Sequence, residues 1–347
     1  MQRDVPDACP MKILFDHSQP FLLAHGGFQI QIEQTKAALE KLGVEVECLR
    51  WWDDQQRGDV LHYFGGASNS YLVQARAVKL PVILTTLFTE TCNRSDAQLA
   101  RQGWLIRAML ATPFGEGVKQ QLAWRTYHNC SHNVVSLEAE RRVLQTVYRV
   151  STERISIVPY GLSEAYLQAG QERRNDAPLI CTGTITQRKN CVDLAQMAHA
   201  AQTPILFVGK PYHPGEPYWL RFKKLIDDRW VRHHPHVRAE EEMIALLHGA
   251  RGFVLMSQYE NWCLSAHEAV ACGLPILVPD QKWSRERFGN QARYFERIGV
   301  TPGNTEILRK FYSDAPGLPP LNVTLFSWAD VARQLQSIYE EVLKTSR

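Results

Sequence analysis

The chain has 347 residues, 45% hydrophobic and 22% charged, with a formal net charge of +3. This length supports two hydrophobic cores, and the balance is that of a globular rather than a disordered or fibrous chain. The near-neutral charge offers no field for nucleic acid, and no run reaches the roughly 20 apolar residues of a membrane span.

The N-terminal stretch, "MQRDVPDACPMK", lacks the apolar core of a signal peptide. The expectation is a cytoplasmic protein without nucleic-acid partners and with peripheral membrane contact at most. Short β-branched runs then recur at Lys12–Phe15, Val44–Leu49, Asp59–Phe64, Pro81–Thr86, Asn133–Leu137 and Ile155–Tyr160. They continue at Leu179–Thr182, Pro204–Gly209, Gly252–Ser257 and Pro275–Val278. Helical spacing fills many of the gaps. Phe28, Ile32, Thr35, Leu39 and Leu42 step by four and three, and Gly43 stands where that helix would stop. Strands alternating with helices predict an α/β fold with parallel sheets covered on both faces.

The polar stretch "GQERRNDAP", Gly170 to Pro178, interrupts the series and reads as a linker. One large sheet with a long surface loop is the alternative, but length favours a split. The predicted division is 1–169, 170–326 and a closing amphipathic helix at 327–347. In that helix Val331, Leu335, Ile338 and Val342 share a face, and Ser327 is placed to cap its start. The eight cysteines, Cys9, Cys48, Cys92, Cys130, Cys181, Cys191, Cys263 and Cys272, form no C-x-x-C pair and read as small buried thiols.

Three segments could carry chemistry. Gly26 and Gly27 stand between the first strand and the first helix, where a backbone can approach a phosphate or simply make a tight turn. In "LICTGTITQRKNCVDL" a strand runs into Gly183 and a polar loop, then Arg188 and Lys189 at a helix start. Cations there oppose the helix dipole and invite an anion; the plainer alternative is a solvated surface pair. In "GFVLMSQYENWCLSAHEAVACGLPILVPD" Glu260 follows a strand and Glu268 lies on a small apolar helix, with seven residues between them. A buried carboxylate needs partners, whether ligand hydroxyls or protein donors. His267 beside it reads as structural. "RHHPHVR", with His233, His234 and His236, lacks a complete metal-ligand set and reads as a surface loop near a nucleobase.

Taken together these segments resemble the group 1, family 4 retaining nucleotide-sugar glycosyltransferases. "HGGFQIQIEQTKAALEKLGVEV" resembles that family's glycine loop and helix, and "GTITQRKN" its phosphate loop. "ENWCLSAHEAVACGLPILV" resembles its two-glutamate signature, and "FSWADVARQLQSIYEEVL" its closing helix. "VVSLEAERRVL" and "ISIVPYGLSEAYL" resemble the end of its first domain. The resemblance implies the GT-B fold, two Rossmann-like parallel-sheet domains facing a cleft. The N-terminal domain would lie on the acceptor side, the C-terminal domain on the donor side, and the last helix would pack back on the N-terminal domain.

The implied activity is retaining transfer of a sugar from a nucleoside diphosphate sugar to a hydroxyl of a glycan, lipid-linked sugar or small molecule. Glu260 would face the donor sugar, and the backbone N–H groups of Asn261, Trp262, Cys263 and Leu264 would approach the sugar and distal phosphate. Glu268 would take the ribose hydroxyls, while Lys189 with Arg188 would hold the diphosphate beside Gly183 and Thr184. Gly27, with Gly26, would close from the other domain. No resident cofactor and no metal are expected, and the sequence contains no Asp-x-Asp. The chain departs from the family where Thr184 replaces an arginine, Leu87 and Phe88 replace a histidine, and Tyr160 replaces an asparagine. Two alternatives stay open: a nucleotide-sugar epimerase or hydrolase of the same fold, and a sugar-nucleotide-binding protein without catalysis.

Overall fold

The structure, a computed structural model, describes residues 11–21, 26–88, 90–113, 119 and 121–346. The N-terminal stretch with Cys9, and Leu22 to His25 ahead of the glycine pair, lie outside the described residues.

Among the described residues twelve strands form two six-stranded sheets. The first contains β1 (Lys12–His17), β2 (Glu45–Cys48), β3 (Val60–Phe64), β4 (Val82–Thr85), β5 (His132–Val135) and β6 (Ile155–Ile157). Its spatial order is β2-β1-β3-β4-β5-β6. The second contains β7 (Leu179–Thr182), β8 (Ile205–Val208), β9 (Val231–His234), β10 (Phe253–Val254), β11 (Ile276–Pro279) and β12 (Arg293–Phe295), in the order β12-β11-β10-β7-β8-β9. Every pairing is parallel. β3, β4, β5, β7 and β11 are buried along their whole length, as parallel strands covered on both faces must be.

Both orders have a point where the chain reverses its direction of travel across the sheet. In the first it lies between β1 and β3, and in the second between β7 and β10. The carboxyl ends of strands at such points leave a crevice for ligands. The glycine pair follows β1, the Gly183 loop follows β7 and the Glu260 loop follows β10. The topology therefore delivers all three candidate segments to strand carboxyl ends beside the reversal points.

The first helix spans Gly27–Lys41, and Gly43 has φ +82°, the left-handed backbone expected where the helix stops. The closing helix, Trp328–Ser346, packs along it. Ser327 Oγ accepts from Asp330 N at 3.1 Å, and the Asp330 carboxylate accepts in return from Ser327 N at 2.9 Å. Tyr339 on this helix shares a 2.6 Å hydrogen bond with buried His62 of β3.

Two expectations are corrected. Val231–His234 is the edge strand β9 and not a loop: His233 Nε2 bonds the Gly209 carbonyl at 2.9 Å, and its ring meets Trp219 edge-on. Cys48 is exposed at the end of edge strand β2, while the other six described cysteines are buried; all seven are free. Among the described residues no helix is long and apolar enough to cross a membrane.

Candidate functional site

The loop after β7 and the loop after β10 are strapped together. Gln258 N donates to the Arg188 carbonyl at 2.8 Å, and Arg188 Nη1 donates to the Tyr259 carbonyl at 3.0 Å. At their centre is Glu260. Its Oε1 lies 2.6 Å from Lys189 Nζ and 3.0 Å from Arg188 Nη1. Only 9% of the Glu260 side chain and 11% of that of Lys189 are exposed, so this is a buried ion pair with a half-buried second cation.

Burial pushes the Glu260 carboxyl up, but Lys189 and then Arg188 outweigh it, and the net shift is down. Lys189 shows the mirror balance. Burial lowers it, Glu260 raises it, and the ammonium form wins. The two sequence-predicted cations are thus not waiting for an anion; Glu260 is already there. Nor do they open the helix, which starts at Cys191 after Asn190 at φ +55°.

Glycine positions draw the remaining segments in. A Cβ on Gly183 (φ +141°) would lie 3.5 Å from Lys189 Cε. One on Gly26 (φ +131°) would lie 3.7 Å from Thr184 Oγ1, and one on Gly27 3.9 Å from Leu264 Cδ1. Hence the glycine pair of the first sheet faces both loops of the second. Gly209, after β8, is the tightest point: a Cβ there would stand 1.9 Å from the Gly183 carbonyl oxygen. Its φ of +154° also disfavours a side chain. Gly209→Ala is expected to destabilise the fold by about 1–3 kcal/mol and to displace the Gly183 loop. Denaturant unfolding checks the first effect and loss of ligand binding the second.

Cys263 precedes the Leu264–Ala271 helix with φ +62°. Its carbonyl is held by His267 Nδ1 at 3.0 Å, while His267 Nε2 accepts from Arg287 Nε at 3.3 Å. Burial pushes the His267 imidazole down to about 3, so it stays neutral and can serve both roles. Arg287 also covers the Trp262 ring at 4.0 Å, and Trp262 stacks on Tyr160 of the first half at 6.0 Å between centroids. His267 is therefore a brace for the turn. Among the described residues the backbone N–H groups of Asn261 to Leu264 find no acceptor. Unpaired N–H groups at a helix start are a ready anion site.

Glu268 sits half-buried on the same helix, and its carboxylate has no hydrogen-bond or ion-pair partner among the described residues. Burial, reinforced by Glu240 and opposed by Lys189, pushes it up to about 7. Among the described residues no group of three or more His, Cys, Asp or Glu side chains is placed to hold a metal ion.

Sequence reasoning missed Glu140, which is fully buried and takes Asn261 Nδ2 at 2.5 Å across the two halves. Its spacing with Val143, Leu144 and Val147 puts it on an apolar helix face, and that signal could have found it. It also missed Glu286, whose two oxygens accept from Glu138 N at 2.6 Å and Ala139 N at 3.0 Å, capping a first-half helix from the second. At the departures, Leu87 lines a small pocket with Tyr160 and Trp328, and Phe88 N donates to Glu140.

Residues 164–306 match the model of the family described as "Glycosyl transferases group 1". The chain is 23% identical over 292 residues to the MMP alpha-(1->4)-mannosyltransferase of Mycolicibacterium hassiacum, covering 78% of this chain and 68% of that protein. It is 25% identical over 171 residues to the O-antigen chain mannosyltransferase B of Escherichia coli, covering 46% of this chain and 44% of that protein. Among solved structures, a sucrose-phosphate synthase from Thermosynechococcus elongatus superposes with a TM-score of 0.72 at 16% identity, covering 97% of this chain and 100% of that one. Anabaena HepE in complex with UDP-glucose superposes with a TM-score of 0.61 at 13% identity, covering 96% and 99%. The two parallel sheets are those of the GT-B fold, and the second half of the chain, residues 164–306, is similar to the group 1 glycosyl transferases.

Proposed function

We propose that the chain is a retaining glycosyltransferase that moves a sugar from a nucleoside diphosphate sugar to a hydroxyl of a glycan, a lipid-linked sugar or a small molecule. The observation that carries this is the convergence of Lys189, Arg188, Glu260, the free N–H groups of Asn261 to Leu264 and the Gly26–Gly27 turn on one crevice. Two relatives are named mannosyltransferases and one structural neighbour holds UDP-glucose, which supports a hexosyl donor.

As the bond from the anomeric carbon to the diphosphate breaks, negative charge grows on the leaving oxygens. Lys189, Arg188 and the N–H row oppose it with fixed positive charge in a site largely shielded from water. No metal is required of such an arrangement. The acceptor oxygen bonds the same face of the anomeric carbon, and its proton passes to the departing diphosphate. Glu268 accepts the ribose hydroxyls.

Thermal shifts with UDP, GDP and ADP identify the base. Turnover of the matching nucleotide sugars is then followed with and without hydroxyl acceptors and with EDTA. Transfer that needs an acceptor and survives EDTA supports the proposal. Conversion of the donor without acceptor indicates an epimerase or hydrolase, and binding without turnover a non-catalytic protein. Activity lost to EDTA and restored by Mg²⁺ or Mn²⁺ refutes the metal-free mechanism.

The raised Glu268 predicts a pH dependence. Ribose hydroxyls donate more strongly to the ionised carboxylate than to the neutral acid, and with its ordinary value near 4.5 shifted up to about 7 Glu268 is mostly protonated at pH 6. Nucleoside diphosphate affinity should therefore rise by up to roughly tenfold from pH 6 to pH 8. In Glu268→Gln the affinity should be lower, and the part of the pH response that belongs to this group should vanish. Calorimetric titration at both pH values checks this; an identical response in the variant rejects the ribose role.

A further inference from the structure

We infer that Glu140 is a positioning residue that sets the donor loop from across the two halves, through Asn261. Glu140 lies on the Glu138–Thr146 helix of the first half and is fully buried. Its Oε2 accepts from Ser136 N at 2.8 Å, Ser136 Oγ at 2.7 Å and Leu137 N at 3.2 Å. Its Oε1 accepts from Phe88 N at 3.0 Å and Asn261 Nδ2 at 2.5 Å. Burial pushes this carboxyl up, and the donors around it oppose the shift.

Four of the five donors come from the loops after β4 and β5, and would suffice for a purely local role. The fifth belongs to the other half. Asn261 directly follows Glu260 and begins the row of N–H groups that have no acceptor among the described residues. One carboxylate thus ties the ends of two strands of the first sheet to the loop that presents the N–H row. That row takes its geometry from the first half as well as from its own helix, so it is complete only while the halves are together. This rests on the reading that the row meets the donor diphosphate.

Asn261→Ala tests it, because Glu140 keeps four donors and the first sheet keeps its cap. Asn261→Asp opposes two carboxylates and is the stronger perturbation. On the unliganded chain, amide exchange in peptides covering 258–266 should quicken at least about fivefold in Asn261→Ala, with β5 peptides unchanged. Of UDP, GDP and ADP, those that bind the wild type should bind Asn261→Ala roughly ten- to a hundredfold more weakly, and Asn261→Asp more weakly still. Unchanged exchange overturns the inference. So does a folded Asn261→Ala with wild-type nucleotide affinity and only a lowered Tm, which is the mark of a merely structural contact. If the wild type binds none of the three, the donor-site reading is what has failed, and the exchange result alone decides whether Glu140 sets the loop.

Discussion

Replacing Lys189 with alanine is expected to weaken the fold and the anion site together. Lys189 Nζ stands 2.6 Å from Glu260 Oε1, and both side chains are largely buried. Removing one partner of a buried pair leaves the other charge without its closest counter-ion, typically at about 3–5 kcal/mol. Arg188, 3.0 Å away and 34% exposed, remains to share the load. The loss should therefore fall near the lower end, about 3 kcal/mol, read by denaturant unfolding. Binding should separate by ligand. Affinity for the nucleoside diphosphate should drop roughly ten- to a hundredfold, the effect of losing a charged hydrogen bond, while that for the bare nucleoside stays within about twofold. The double variant Lys189→Met with Glu260→Gln removes the stranded charge. It should regain stability without regaining diphosphate affinity. Equal losses for nucleoside and nucleoside diphosphate would instead make Lys189 a counter-ion to Glu260 and nothing more.

The fold was readable where strands lie deep. β7 is buried on both faces, and its apolar run has the bounds of the strand, Leu179–Thr182. β9 and β12 are edge strands with exposed polar side chains, Arg232 and Arg293, and half-buried ones, His233 and Tyr294, so no apolar run marks them. At the site, each candidate segment was visible by its own chemistry: paired glycines, adjacent cations, a carboxylate on an apolar helix. Their mutual arrangement was not. Arg188 and Glu260 are 72 positions apart, and it is the β7–β10 adjacency that brings them together. A cation pair at a helix start and a glutamate after a distant strand each look unpaired until the sheet order is known. Glu140 differs, because its place on an apolar helix face marks it in the sequence, but what it holds is readable only when its five donors are seen.

That arrangement changes what Glu260 can be doing. The resemblance assigns it to the donor sugar, yet in this structure it neutralises the two cations assigned to the diphosphate. An incoming diphosphate must either share Lys189 and Arg188 with Glu260 or displace it from them. Displacement frees the carboxylate to turn to the sugar, and gives one residue both roles in sequence. Glu260→Gln separates the possibilities. An uncharged amide holds Lys189 and Arg188 more weakly, so the cations are more available to phosphate oxygens. Nucleoside diphosphate affinity should then stay level or rise by up to roughly tenfold, the effect of one charged hydrogen bond no longer competing. With the full donor, kcat/KM should fall by about a hundredfold or more, because a negative charge facing an oxocarbenium-like sugar acts in the transition state rather than on the bound nucleotide. The comparison is internal, since both measurements use the same folded variant. If affinity and kcat/KM fall in parallel, Glu260 serves by holding the 257–264 loop, and displaced N–H groups explain both losses. If affinity rises and kcat/KM is unchanged, it is a plain counter-ion that the substrate replaces. A split with affinity kept and turnover lost places the Glu260 charge at the sugar.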